Sequence, residues 1–303
     1  MDLLYLIIGL LILVGGAEIV IRGSISFGKK LNISLFAIGV VIVAGGTSLP
    51  ELASSINAVV NDHADLALGA VVGSNIANLI LVMSATTIIL PISNINKNQI
   101  NQAWINIVLG IVLILMSLFY FNFIFGIISI ILLTYIMFLQ IKKGSLNLED
   151  INKNAYSTFF SIILIIIGII FLIYGSELFV SSAINLANKF NVSEAVIGLS
   201  IIAFGTSLPE LVVGIMSAVK RKVDFALGNI LGSNIYNVLG VLGFSSFFGN
   251  FSMPEILATQ DLYFMLLITF LILGFMFFIK KLGRTYGCIG LILYICYMYF
   301  IFS

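Results

Sequence analysis

Apolar runs of about twenty residues follow one another along almost the whole chain, separated by short polar stretches. A helix rising about 1.5 Å per residue needs about 20 apolar residues to cross the hydrocarbon of a bilayer, so each run predicts a membrane-spanning helix. Ten spans are predicted, over residues 3–21, 33–60, 65–91, 102–121, 123–141, 158–180, 192–219, 224–249, 260–279 and 285–302. The first follows Asp2 instead of a basic segment and lacks a small-residue cleavage pattern, so it reads as a membrane helix and not as a secretory leader. The predicted class is an all-α integral membrane protein.

Composition agrees with that pattern: 61% of residues are hydrophobic and 9% charged, against roughly 25% charged in soluble domains. The placement of the charges adds orientation. With ten spans and the N-terminus outside, 13 of the 14 basic residues fall on the cytoplasmic side and Lys189 alone falls outside, the asymmetry of the positive-inside rule. A multi-pass protein of the cell (inner) membrane with both termini outside is predicted. A net charge of +1 and the lack of a basic tract with interleaved aromatics argue against nucleic acid as a partner. Cys288 and Cys296 lie on one helix about 12 Å apart, too far to join, and read as packing residues. His63, between Asp62 and Asp65, reads as a solvated loop histidine.

Residues 30–80 align without a gap onto residues 189–239 at an offset of 159, with 25 of 51 pairs identical. The longest matches are Gly46-Thr47-Ser48-Leu49-Pro50-Glu51-Leu52 with Gly205-Thr206-Ser207-Leu208-Pro209-Glu210-Leu211, and Gly73-Ser74-Asn75-Ile76 with Gly232-Ser233-Asn234-Ile235. Five spans per copy is an odd number, so the second copy must cross the membrane in the opposite sense. Two units are predicted, residues 1–141 and 158–303, joined by a cytoplasmic linker at 142–157. Inverted duplication of this kind is typical of secondary transporters, with the substrate site between the halves.

Glu18, Glu51, Glu177 and Glu210 are the acidic residues placed inside the spans, and they form two repeat pairs. A carboxylate in hydrocarbon costs about 2.5 kcal/mol or more and normally faces a cavity, a partner or an ion, and no lysine or arginine is predicted at that depth. Glu51 and Glu210 fall near the middle of their spans. Pro50 has no amide hydrogen for the carbonyl of Gly46, so the helix should break just ahead of Glu51. The freed carbonyls, the hydroxyls of Thr47 and Ser48 and the carboxylate are hard oxygen donors of the kind Ca2+ takes, and Na+ accepts the same set. Ser48-Leu49-Pro50-Glu51 also fits a capping box that restarts a broken helix.

In the following spans Ser74 and Asn78 share a helical face, as do Ser233 and Asn237, and interhelical hydrogen bonding is an alternative use for them. Gly69, Gly73, Gly228 and Gly232 would let the central helices approach closely. Glu18 and Glu177 lie off the midplane, where gating, pathway lining and snorkelling compete. No mid-span Asp and no set of Ser, His and acid appears at depth, so the chain does not read as an enzyme and implies no cofactor.

Two copies of Gly-Thr-Ser-Leu-Pro-Glu, each followed by Gly-Ser-Asn, resemble the sodium/calcium exchanger family of the cation/Ca2+ antiporter superfamily, in its compact prokaryotic form. The resemblance implies that Glu51 and Glu210 are central ligands, with the carbonyls of Thr47 and Thr206 completing a Ca2+ site. Flanking Na+ sites would use the hydroxyls of Ser48, Ser207, Ser74 and Ser233 and the carbonyls of Ala44 and Ala203, with Asn78 and Asn237 beside them. It also implies that the first and sixth helices slide across the remaining eight. Asn237 stands where several members carry aspartate, and Ala70 stands where the second repeat has Asn229. The counter-ion therefore stays open among Na+, H+ and K+, with a passive cation channel as the remote alternative.

Overall fold

The computed structural model describes residues 2–143, 156–190 and 205–302. Helix α1 (Asp2–Leu31) is followed by α2 (Leu35–Thr47) and α3 (Leu49–Val60), which meet at 42° across Ser48. Then come α4 (Ala64–Ile89), α5 (Lys97–Met116), α6 (Phe123–Lys143), α7 (Thr158–Lys189), α8 (Leu208–Val219), α9 (Val223–Ser245), α10 (Leu257–Ile279) and α11 (Arg284–Phe302). Among the described residues, seven helices are long and apolar enough to cross a membrane, and eight if the bent pair α2 and α3 counts as one span. The predicted span at 192–219 is described only from Gly205 onward, and most of the 142–157 linker lies outside the described residues.

Helix α9 is the centre of the molecule, buried along almost its whole length between α2, α5 and α8. Apolar side chains on the periphery point outward: Leu3, Leu4 and Leu11 on α1, and Phe159, Ile166 and Ile170 on α7, are all exposed. A rim of this kind is stable only against lipid tails.

Helices α1 and α7 run antiparallel as a close pair, because glycine recurs every seven residues on each contact face. A Cβ on Gly16 would stand 2.9 Å from the backbone nitrogen of Leu172, and one on Gly168 would stand 2.7 Å from that of Val20. With no side chain between them, the backbones touch. The pair is fastened at its ends by Ser161 Oγ donating to Ser26 Oγ at 3.0 Å and by an ion pair of Lys189 with Asp2.

Both members of that pair are longer than predicted: α1 runs to Leu31 instead of ending near 21, and α7 to Lys189 instead of 180. The small residues Gly23, Ser24, Ser26 and Gly28 remain buried, so helix packing continues past the last apolar run. The fold also departs from pure helix in two short ladders that fasten loops of one repeat to loops of the other. Strand β1 (Ile92–Ser93) pairs antiparallel with β4 (Lys281–Leu282), and β2 (Tyr120–Phe121) with β3 (Phe251–Ser252).

The close approach predicted for the central glycines holds for Gly228 and Gly232. A Cβ on Gly228 would lie 2.3 Å from the carbonyl oxygen of Phe36, and one on Gly232 2.8 Å from Cα of Val40. Around Gly69 and Gly73 nothing among the described residues comes within 4 Å. The offset of 159 carries Phe36 and Val40 to Ala195 and Leu199, which lie outside the described residues.

Candidate functional site

Glu51 sits in the first turn of α3 and Glu210 in the first turn of α8, each directly after a proline that is the second residue of its helix. Proline is tolerated there because that turn has no amide partner to lose. Both carboxyls are 0% exposed. Each sits at the positive end of a helix dipole, which favours negative charge.

The two acids are joined crosswise through serines. Ser74 Oγ, on α4, donates to Glu51 Oε1 at 3.3 Å and accepts from Ser207 Oγ at 3.3 Å and from Asn237 Nδ2 at 3.1 Å. Ser233 Oγ, on α9, donates to Glu210 Oε1 at 3.4 Å and lies 3.5 Å from Thr47 Oγ1. Each carboxyl is thereby tied to the Gly-Thr-Ser segment of the opposite repeat.

Below the serines lies a symmetric pair of amide bonds. Asn78 Nδ2 donates to Asn234 Oδ1 at 3.0 Å, and its counterpart Asn237 Nδ2 donates to Asn75 Oδ1 at 3.0 Å. Asn75 and Asn234 belong to the repeated Gly-Ser-Asn-Ile block, but sequence reasoning did not single them out. Regular helical spacing turns them away from the face of Ser74 and Asn78. The helical turns widen by one residue at Asn78–Val82 and Tyr236–Val241, a feature frequent at functional sites, which no sequence period reveals. Asn229 was likewise noted only as a departure, yet its Oδ1 accepts from Thr47 Oγ1 at 3.3 Å.

Several polar atoms of this network are unpaired, the amide nitrogen of Asn229 among them. Glu51 Oε2, Glu210 Oε2, Asn78 Oδ1 and Asn237 Oδ1 are buried without a hydrogen-bond partner, and so is Ser48 Oγ. Leaving a buried polar atom unpaired costs about 1–3 kcal/mol, more if charged. The four oxygens on Glu51, Glu210, Asn78 and Asn237 are related in two pairs by the repeat offset. Ser48 and Ser207 make no side-chain cap bond to α3 or α8, which removes the capping-box reading. The bent turn holds the two hydroxyls away from the amides a cap would serve.

Of the remaining predicted residues, Thr206 is half-buried and Ala44 is buried. The carbonyl of Ala44 already accepts from the Ser48 amide at 3.0 Å and from Thr47 Oγ1 at 3.4 Å. Ala203 lies outside the described residues. Glu177 is exposed on α7. Glu18 bonds Arg22 one turn along α1 and Lys220 at the end of α8. The extra turns of α1 carry Arg22 inside the helix, and Lys220 reaches across to meet the same carboxylate.

Residues 1–143 and 160–303 both match the sodium/calcium exchanger protein family. The chain belongs to that family. A membrane protein of Methanocaldococcus jannaschii is 34% identical over 96% of this chain and 95% of its own length. The sodium/calcium exchanger of Methanosarcina acetivorans is 28% identical over 99% and 98%. The solved structure of the sodium-calcium exchanger NCX_Mj superposes with a TM-score of 0.86 at 33% identity, covering 98% of this chain and 97% of its own. A membership this complete makes the chain an all-helical membrane transporter of inorganic cations rather than an enzyme.

Proposed function

We propose that this exchanger is a secondary active antiporter that moves Ca2+ against Na+ by alternating access, with Glu51 and Glu210 as ligands shared by both ions. The observation that carries the reading is the set of four buried, partnerless oxygens on Glu51, Glu210, Asn78 and Asn237. Carboxylate, amide and hydroxyl oxygens are the donors that hard cations take, six to eight of them for Ca2+. Ser48, Ser207, Ser74, Ser233 and the carbonyls of Thr47, Thr206, Ala44 and Ala203 complete the donor set in this reading.

The proposed frame is ten spans in two inverted five-helix repeats, 1–141 and 158–303, with helices broken at both Gly-Thr-Ser-Leu-Pro-Glu segments. Both termini lie outside the cell (inner) membrane, and the 142–157 linker lies in the cytoplasm. The crosswise Ser74 and Ser233 bonds support a site built jointly by the two halves.

Two carboxylates are matched by one Ca2+ or by Na+ ions. Empty, they carry uncompensated charge past apolar surroundings, which penalises the unloaded transition and couples the two fluxes. Counter-ion-dependent 45Ca2+ flux in proteoliposomes tests this. Uptake should follow an outwardly directed Na+ gradient and vanish without it. Uptake that follows a pH gradient and ignores Na+ assigns H+ as the counter-ion; a requirement for K+ makes the exchanger K+-dependent; gradient-independent single-channel current makes it a channel.

A further inference from the structure

Resting on the alternating-access reading, we infer that the ion pair of Glu18 with Lys220 is a latch on one side only, holding the α1–α7 pair against α8 in the arrangement seen here. The paired helices form one body through their glycine seam, the Ser26–Ser161 bond and the Asp2–Lys189 ion pair. Among the described residues the ion pairs are Arg22–Glu18, Lys189–Asp2 and Lys220–Glu18. The first lies within α1 and the second joins α1 to α7, so of these ion pairs only the third joins this body to the rest of the molecule. A neutral hydrogen bond from Ser176 Oγ on α7 to the carbonyl of Gly205, at 2.8 Å, is a further link. Lys220 Nζ lies 2.6 Å from Glu18 Oε2 and 2.8 Å from Oε1, with the two side chains 29% and 25% exposed. Lys220 caps the C-terminus of α8, the helix whose first turn carries Glu210.

The repeat offset makes the asymmetry plain. Glu18 corresponds to Glu177, but Arg22 corresponds to Ser181 and Lys220 to Asn61. Asn61 spends its amide on Asn57, donating to the backbone oxygen at 2.7 Å and to Oδ1 at 3.0 Å. The repeat-related site, Glu177 with Ser181 and Asn61, thus keeps the carboxylate and has neither cation at the matching positions. Two inverted copies of one sequence would give the two access states equal energy. A charge pair present in only one copy tilts that balance.

The test places nitroxide labels at Lys30 on α1 and Val219 on α8, in the full chain with Cys288 and Cys296 replaced by serine, and reads the distance distribution in lipid. Glu18→Gln and Lys220→Gln should each raise the ratio of the second arrangement to this one by roughly two- to fivefold. The double variant should go no further than either single one, and Arg22→Gln should leave this arrangement dominant. In proteoliposomes the same shift should raise apparent Ca2+ affinity on one face and lower it on the other, which a merely damaged fold would not do. An unchanged distance distribution in Lys220→Gln overturns the latch, with exchange still standing. Shifted distances in a chain that moves no Ca2+ against any counter-ion uphold the latch and overturn the exchange reading.

Discussion

Glu51 and Glu210 each bind a serine through one carboxylate oxygen and leave the other without a partner. Glu51→Gln or Glu210→Gln halves the charge of the site and should reduce Ca2+ exchange at least 100-fold, with the protein still inserted and monodisperse; near-normal flux in either would remove the midplane site. Ligand-induced stabilisation gives an independent readout. Saturating Ca2+ should raise the thermal midpoint of the wild type, by the equivalent of about 2.7 kcal/mol at 100 times Kd, and should leave both glutamine variants unmoved. Ser74→Ala removes one donor and the common acceptor of Ser207 and Asn237, and should weaken Ca2+ binding by roughly tenfold, measured by isothermal titration. The acids and serines were legible in the sequence because they recur at one offset. Asn75 and Asn234 were not, since they lie one step round a regular helix from the face that carries Ser74 and Asn78, or Ser233 and Asn237.

Among the elements, the pair α1 and α7 depends on backbone contact, and its glycines leave no volume for a side chain. Gly16→Leu or Gly168→Leu should separate the helices and cost about 1–3 kcal/mol, seen as a lower thermal midpoint in detergent and weaker exchange. An unchanged midpoint would mean that the seam does not hold the pair. The lengths of these helices exceeded the prediction because hydrophobicity alone marks where lipid contact ends, whereas α1 continues on small residues buried against a neighbour. The bend between α2 and α3 falls at Ser48, just ahead of Pro50, while Gly45 and Gly46 stay helical, so it is the proline that marks the break in the sequence.

For the whole molecule, the proposed frame of ten spans, with the basic residues on the cytoplasmic side, predicts that tags on the two termini are both reached from outside intact cells. A tag protected at one end and accessible at the other would make the span count odd and end the inverted-repeat account. The duplication was legible at once from 25 identical pairs in 51; the stitching of its copies was not, because strand pairs of two residues carry no sequence signature. Yet those ladders, β1 with β4 and β2 with β3, together with the reciprocal asparagine bonds, bind each copy to its mate without using the covalent connection between them. Severing the chain between its copies and producing the pieces as separate polypeptides should accordingly still yield a working heterodimer, as though the ancestral gene had never fused.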